Sequence, residues 1–449
     1  MAHWPAEYQM REPRTPARLW QAGGLLMMLL AAAPAAALCG DLSGDGRVNA
    51  TDALLTLRAA VFDLPYQGHA DIDAGQGSDG SLSATDALMV LRAAVFASLL
   101  DCASAVETRA VVSTASCDFA TGGVAEVDLA SRSLTGHQPA VSAADAVARV
   151  QMGRVFILNR FGGDNIQELD PSSSMALIAQ CSLGNGSNPH DVVLVSETLG
   201  YVSRYDSTSL AVIDPSAMAD CQGFITDTID LSPWADADGF PEMDQMALAG
   251  DRLLVSLQRL DRNSFFQPTG AAMLVAIDTA TNEVVAELEL AVTNPFAETK
   301  GLLYDPENDL VYIAGPGTLF SDLDDGGIEA VDTRSLASLG LIADGADLGG
   351  DLTDLVVAGG SKAYAIVASE GFANSLVEVN LEQATISEPL ATSDYLFSDI
   401  ELTENGRLWL ADRNCFDPGL RVFSSADNAE ITTAPLYPGL TPFTLAFVD

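Results

Sequence analysis

The sequence predicts a mainly β chain, a seven-bladed β-propeller, with a small N-terminal all-α module built on paired calcium loops. Three observations carry this prediction. A unit of short β-branched runs recurs seven times after residue 108. A lone strand, Phe443 to Val448, ends the sequence and has no blade of its own. Near the start, the stretch from Gly46 to Phe62 returns as Gly80 to Phe96, an offset of 34 residues. Fixed-period self-similarity of this kind is the mark of repeat architectures.

Composition narrows the function classes first. The 449 residues carry 21 Lys+Arg against 62 Asp+Glu, a net charge of −41, and 48% of residues are hydrophobic. That hydrophobic share is enough for a packed core. The charge excludes the basic face that nucleic acid or anionic lipid requires. Multivalent cations are the natural counterpart.

Residues 1–37 read as an export signal. Arg11, Arg14 and Arg18 form a positive region, an apolar run follows from Gly23 to Leu38, and Ala35 and Ala37 fit a small-x-small cleavage site after Ala37. The expected organisation is then a calcium module at 38–102, a linker at 103–107 and a propeller at 108–449. The expected location is secreted, cell-surface or periplasmic, and the expected state is monomeric.

The repeated stretch is a twelve-position calcium loop running into a helix. In the first copy Asp41, Ser43 and Asp45 place oxygen ligands at positions 1, 3 and 5, the carbonyl of Arg47 serves position 7, Asn49 position 9 and Asp52 position 12. Gly46 at position 6 permits the sharp turn. Calcium needs six to eight hard oxygens, and this spacing delivers them from one short loop. In the second copy Asp71 and Asp73 fit positions 1 and 3, and Asp79, Ser81, Ser83 and Asp86 fit 5, 7, 9 and 12, with an insertion of about four residues between Ala74 and Ser78. Leu54, Leu57 and Val61, then Leu88, Leu91 and Val95, give each following helix an apolar stripe. About 60 residues make a marginal core, so calcium and a Cys39–Cys102 bridge are expected to hold it.

Residues 39–102 resemble a type I dockerin module. The resemblance implies two calcium sites, the second the lesser candidate, and a cohesin partner contacted through Ala50 and Thr51 and again through Ala84 and Thr85. In that family the module tethers enzymes of polysaccharide breakdown.

Beyond residue 108 one strand recurs as RAVVSTA from Arg109, RVFILNR from Arg154, GYVSRY from Gly200, RLLVSLQ from Arg252, LVYIAG from Leu310, KAYAIVA from Lys362 and RLWLADR from Arg407. The strand after it ends at Asp128, Asp170, Asp214, Asp278, Asp332, Asn380 or Ser424. Short alternating strands at regular spacing, parted by turn residues, are what blades require. Four strands per blade are expected, with the lone C-terminal strand completing blade 1. The phrase from Val155 to Asp170 resembles the YVTN/lactonase-like propeller repeats, a family that includes binding proteins, surface proteins and some enzymes.

Six cysteines allow fifteen pairings. The propeller order places Cys117 and Cys415 in the same loop of blades 1 and 7, neighbours once the ring closes. Cys181 and Cys221 follow corresponding strands of blades 2 and 3.

No HExxH, GxSxG, Walker or strand-linked GxGxxG motif occurs. His137 and His190 precede inner strands of consecutive blades. Asp145, Asp191, Asp244, Asp354 and Asp399 recur ahead of the inner strands. Around a channel they would form a carboxylate ring for a metal or cationic ligand; the alternative is Asp capping a turn. Asn188 and His190 beside Asp191 are the first place to look. The expected function is an exported Ca2+-binding protein, non-catalytic, whose propeller binds an extracellular protein or carbohydrate. A metal-dependent, lactonase-like hydrolase and a dockerin-tethered component of polysaccharide catabolism are the alternatives.

Overall fold

The computed structural model describes residues 109–139, 142–264, 266–295, 301–306, 308–318, 325–369, 373–394 and 396–448, with a few helical positions at 53–55, 57–58 and 91. The chain divides into two compact units, and the second runs from Ala103 to Asp449 with Gln76–Gly80. The two calcium loops, Cys39 and Cys102 lie outside the described residues, as does the side chain of His137.

The second unit is a seven-bladed β-propeller. Blade 2 pairs Ala146–Gln151, Arg154–Asn159, Asn165–Asp170 and Ala176–Ser182 in sequence order. Blades 3, 4 and 5 repeat this four-stranded antiparallel order, beginning at Pro189–Ser196, Met243–Ala249 and Leu302–Asp305. The second strand of each blade is sealed between neighbours, and Val155, Ile157 and Leu158 are wholly buried. Outer strands alternate instead: in Glu283–Glu289 every second residue faces solvent, because only one face has a blade to pack on.

Blade 1 is closed by the C-terminus. Thr441–Val448 pairs antiparallel with Arg109–Ala115 and takes the inner position of that sheet. The predicted lone strand thus joins the first and last blades. Cys117 and Cys415, 298 residues apart in sequence, are bonded across the same junction. Cys181 is bonded to Cys221 between blades 2 and 3.

Two blades depart from the expected four regular strands. In blade 6 the outer strand is split into Thr385–Ile386 and Ala391–Ser393 around Pro389. In blade 7 three regular strands are present, and only the isolated bridges Leu420↔Leu436 and Phe423↔Glu430 stand for the fourth. Pro435 and Pro438 have no N–H for a ladder, so the segment cannot continue as a strand.

Candidate functional site at the mouth of blades 3 and 4

In each blade the start of the inner strand lies beside the end of the second strand, as the pairs Pro189↔Arg204 and Met243↔Leu257 show. The predicted carboxylate ring is built at this level, and the structure gives most of it another task. Asp191 Oδ2 accepts the N–H of Met246 on the next blade at 2.8 Å, while Oδ1 accepts from Val192 N–H at 3.0 Å. Asp354 repeats the arrangement, taking Leu355 N–H at 2.9 Å and Ile400 N–H of blade 7 at 2.8 Å. Asp399 accepts Leu445 N–H of the closing strand. In blade 1 the position belongs to Thr444, whose Oγ1 accepts Ala148 N–H at 2.8 Å. A search for Asp alone passes over it.

These three carboxylates are latches between blades. Asp191 is also ion-paired with the Arg149 Nε at 2.7 Å, deep in the channel. Burial pushes the Asp191 carboxyl up, and Arg149 holds it back. Their oxygens accept from backbone N–H groups and, at Asp191, from the Arg149 guanidinium. Asp145 and Asp244 stand outside the register. Asp145 pairs with Arg160 Nε at 3.0 Å, where Arg160 and Arg413 lie over the ring of Phe443 at 5.4 and 4.9 Å.

Asp244 belongs to a different constellation. It sits at the start of blade 4's inner strand with no exposure to solvent. His190, at the start of blade 3's inner strand, places Nδ1 2.7 Å from Asp244 Oδ1. Gln258 Nε2, past the end of the second strand, donates to Asp244 Oδ2 at 2.8 Å. The Tyr205 hydroxyl donates to Gln258 Oε1 at 2.9 Å, and its ring stacks on His190 at 4.4 Å and 13°. The carboxylate accepts on both oxygens, which puts a proton on Nδ1 of the imidazole. Burial raises the Tyr205 phenol well above its ordinary value, so it remains a donor.

An acidic cluster adjoins this network. The carboxylates of Asp236, Asp238 and Glu242 lie within 4.8 Å of one another. Arg262, on a short hairpin inserted into blade 4, enters the group. Its Nε donates to Glu242 Oε1 at 2.9 Å, its guanidinium also pairs with Asp206, and its backbone N–H donates to Asp238 Oδ2 at 3.0 Å. The guanidinium stacks over Phe240 at 4.1 Å and Tyr205 at 5.5 Å. The cation among these acids is therefore a side chain. Burial pushes Glu242 up to about 7, against the pull of Arg262. His190 and Asp244 were visible in the sequence as separate repeats. Tyr205, Gln258, Glu242 and Arg262 carried no motif, because strand pairing across two blades is what brings them together.

No family model matches the chain, and no curated protein matches it. Solved structures do. A proposed 6-phosphogluconolactonase of Bacteroides fragilis is 14% identical, with a TM-score of 0.52 over 77% of this chain and 99% of that one. A protein of Lactobacillus plantarum is 12% identical, with a TM-score of 0.53 over 76% of this chain and 99% of that one. The propeller resembles the lactonase-like propellers in fold. At such identities the likeness carries no activity with it. The two disulfides are what an oxidising compartment permits, and among the described residues no helix is long and apolar enough to cross a membrane.

Proposed function

We propose that the chain is an exported calcium-binding protein whose propeller captures an extracellular ligand at the mouth of blades 3 and 4 without processing it. The observation that carries this is the closed network of His190, Asp244, Gln258 and Tyr205, each member held by the next before any ligand arrives. Preorganised polar groups lower the cost of binding. The loops at Asp41–Asp52 and Asp71–Asp86 supply Ca2+ sites, which stabilise the small module and present it to an extracellular protein. A second reading, hydrolysis, is favoured by one feature: a carboxylate that orients an imidazole is the arrangement of a general base.

The test is thermal melting of the mature chain in millimolar calcium against a panel of extracellular sugars, amines and organic acids, with chromatography of each mixture. EGTA is expected to lower the melting temperature, and one panel member is expected to raise it and be recovered intact. Recovery of a cleaved product would transfer the site to the hydrolase reading. No response to EGTA or to any panel member would defeat both parts of the proposal.

A further inference from the structure

Ser187, Asn188 and His190 stand on one four-residue segment where the chain enters blade 3. Ser187 Oγ and Asn188 Oδ1 are buried and have no hydrogen-bond partner among the described residues. His190 is 9% exposed, and beyond Asp244 its ring forms no hydrogen bond among the described residues. Native proteins satisfy nearly all buried polar atoms, and exceptions ask for a reason. Two such atoms on adjacent residues, beside the network already described, mark a place that something else completes.

The chemistry of the missing partner follows from what these atoms lack. Asn188 Oδ1 can only accept. The Ser187 hydroxyl does either. The partner must donate. Its charge follows from the surroundings. Asp164 accepts the N–H groups of Gly186 and Asn188 at 2.7 and 2.9 Å. Asp206 bonds back to Ser187 O through its own N–H. Asp191, Asp244, Glu242 and Asp238 stand behind them, and Arg149, Arg204 and Arg262 are the cations close by. Arg204 is spent on the carbonyl of Ser209 at 2.7 and 2.9 Å. Carboxylates outnumber cations here, which favours a cation and repels an anion.

We infer that this segment binds a small organic ammonium compound, its N–H groups donating to Asn188 Oδ1 and the Ser187 hydroxyl oxygen. The inference rests on the reading of blades 3 and 4 as the ligand face and names the ligand class.

The experiment is isothermal titration of the full chain, calcium present, in an amine-free buffer at pH 7. The probes are glucosamine, glucose and gluconate, which share size and hydroxyls and differ in charge. Glucosamine is expected to bind, glucose at least tenfold more weakly, and gluconate not at all. Ser187→Ala and Asn188→Gly are expected to weaken glucosamine binding tenfold or more while the melting temperature holds or rises, because each removes an unsatisfied buried atom. Gluconate binding as tightly as glucosamine would overturn the inference and leave the ligand-face reading standing. Two results would show that these atoms serve only the fold and its bound water. One is variants that lose melting temperature yet keep binding. The other is no heat with glucosamine.

Discussion

Aspartate recurs at two positions of the blade repeat, and the two sets differ in where their oxygens go. At the outer turns, Asp128, Asp170 and Asp332 stand at the surface and accept the N–H of Ser131, Ser172 and Ser335 at 2.7, 2.8 and 2.7 Å. The serine hydroxyls, aided by those N–H groups, hold the three carboxyls below their ordinary value. At the inner strands, Asp191, Asp354 and Asp399 are at most 4% exposed and accept N–H groups of the following blade. One set shapes a turn within a blade and the other joins two blades. The same residue type at the same repeat period thus carries very different energies, because water competes for the first set and not for the second.

The largest effect is expected at Asp191. Replacing it with Ala strips Arg149 of its ion-pair partner at a site where the arginine is 4% exposed. Removing one member of a buried pair costs about 3–5 kcal/mol. Urea denaturation reads this directly. A loss under about 1 kcal/mol would mean that solvent reaches Arg149, and the contrast between the two sets would collapse.

Next comes Asp399→Ala, which leaves the Leu445 N–H of the closing strand without its acceptor. An unsatisfied buried donor costs about 1–3 kcal/mol. Asp399→Asn keeps an acceptor oxygen in place and is expected to recover most of the loss. Hydrogen exchange at Leu445 should accelerate in the Ala variant and much less in the Asn variant. If both variants exchange alike, the latch is not the carboxylate oxygen.

Most of the fold was legible because the blade repeat is local. The buried second strands follow from register within one repeat unit, and the closing strand near Phe443 and both propeller disulfides follow from the order of the units around the ring. The outer edges of blades 6 and 7 were not read correctly, although Pro389, Pro435 and Pro438 announce the break. The site was half legible. His190 and Asp244 recur ahead of inner strands, but their partnership crosses from one blade to the next. Tyr205 and Gln258 lie among ordinary strand ends, and Arg262 comes from a hairpin inserted into blade 4. Three members of the predicted ring have a structural task that the sequence did not announce. Asp before an inner strand finds backbone N–H groups of the next blade within reach.

Asp128→Ala is the smallest expected effect and the control for the comparison. Surface substitutions away from buried networks stay within about 0.5 kcal/mol. The folded carboxyl titrates below its unfolded value of about 3.9. Its contribution is therefore present above that value and lost as the pH falls through the folded pKa. Melting curves of Asp128→Ala and the parent chain should differ slightly at pH 7 and converge as the pH is lowered through the folded pKa. A difference at pH 7 as large as that of Asp399→Ala would show that position in the repeat, rather than burial, decides what a propeller aspartate is worth.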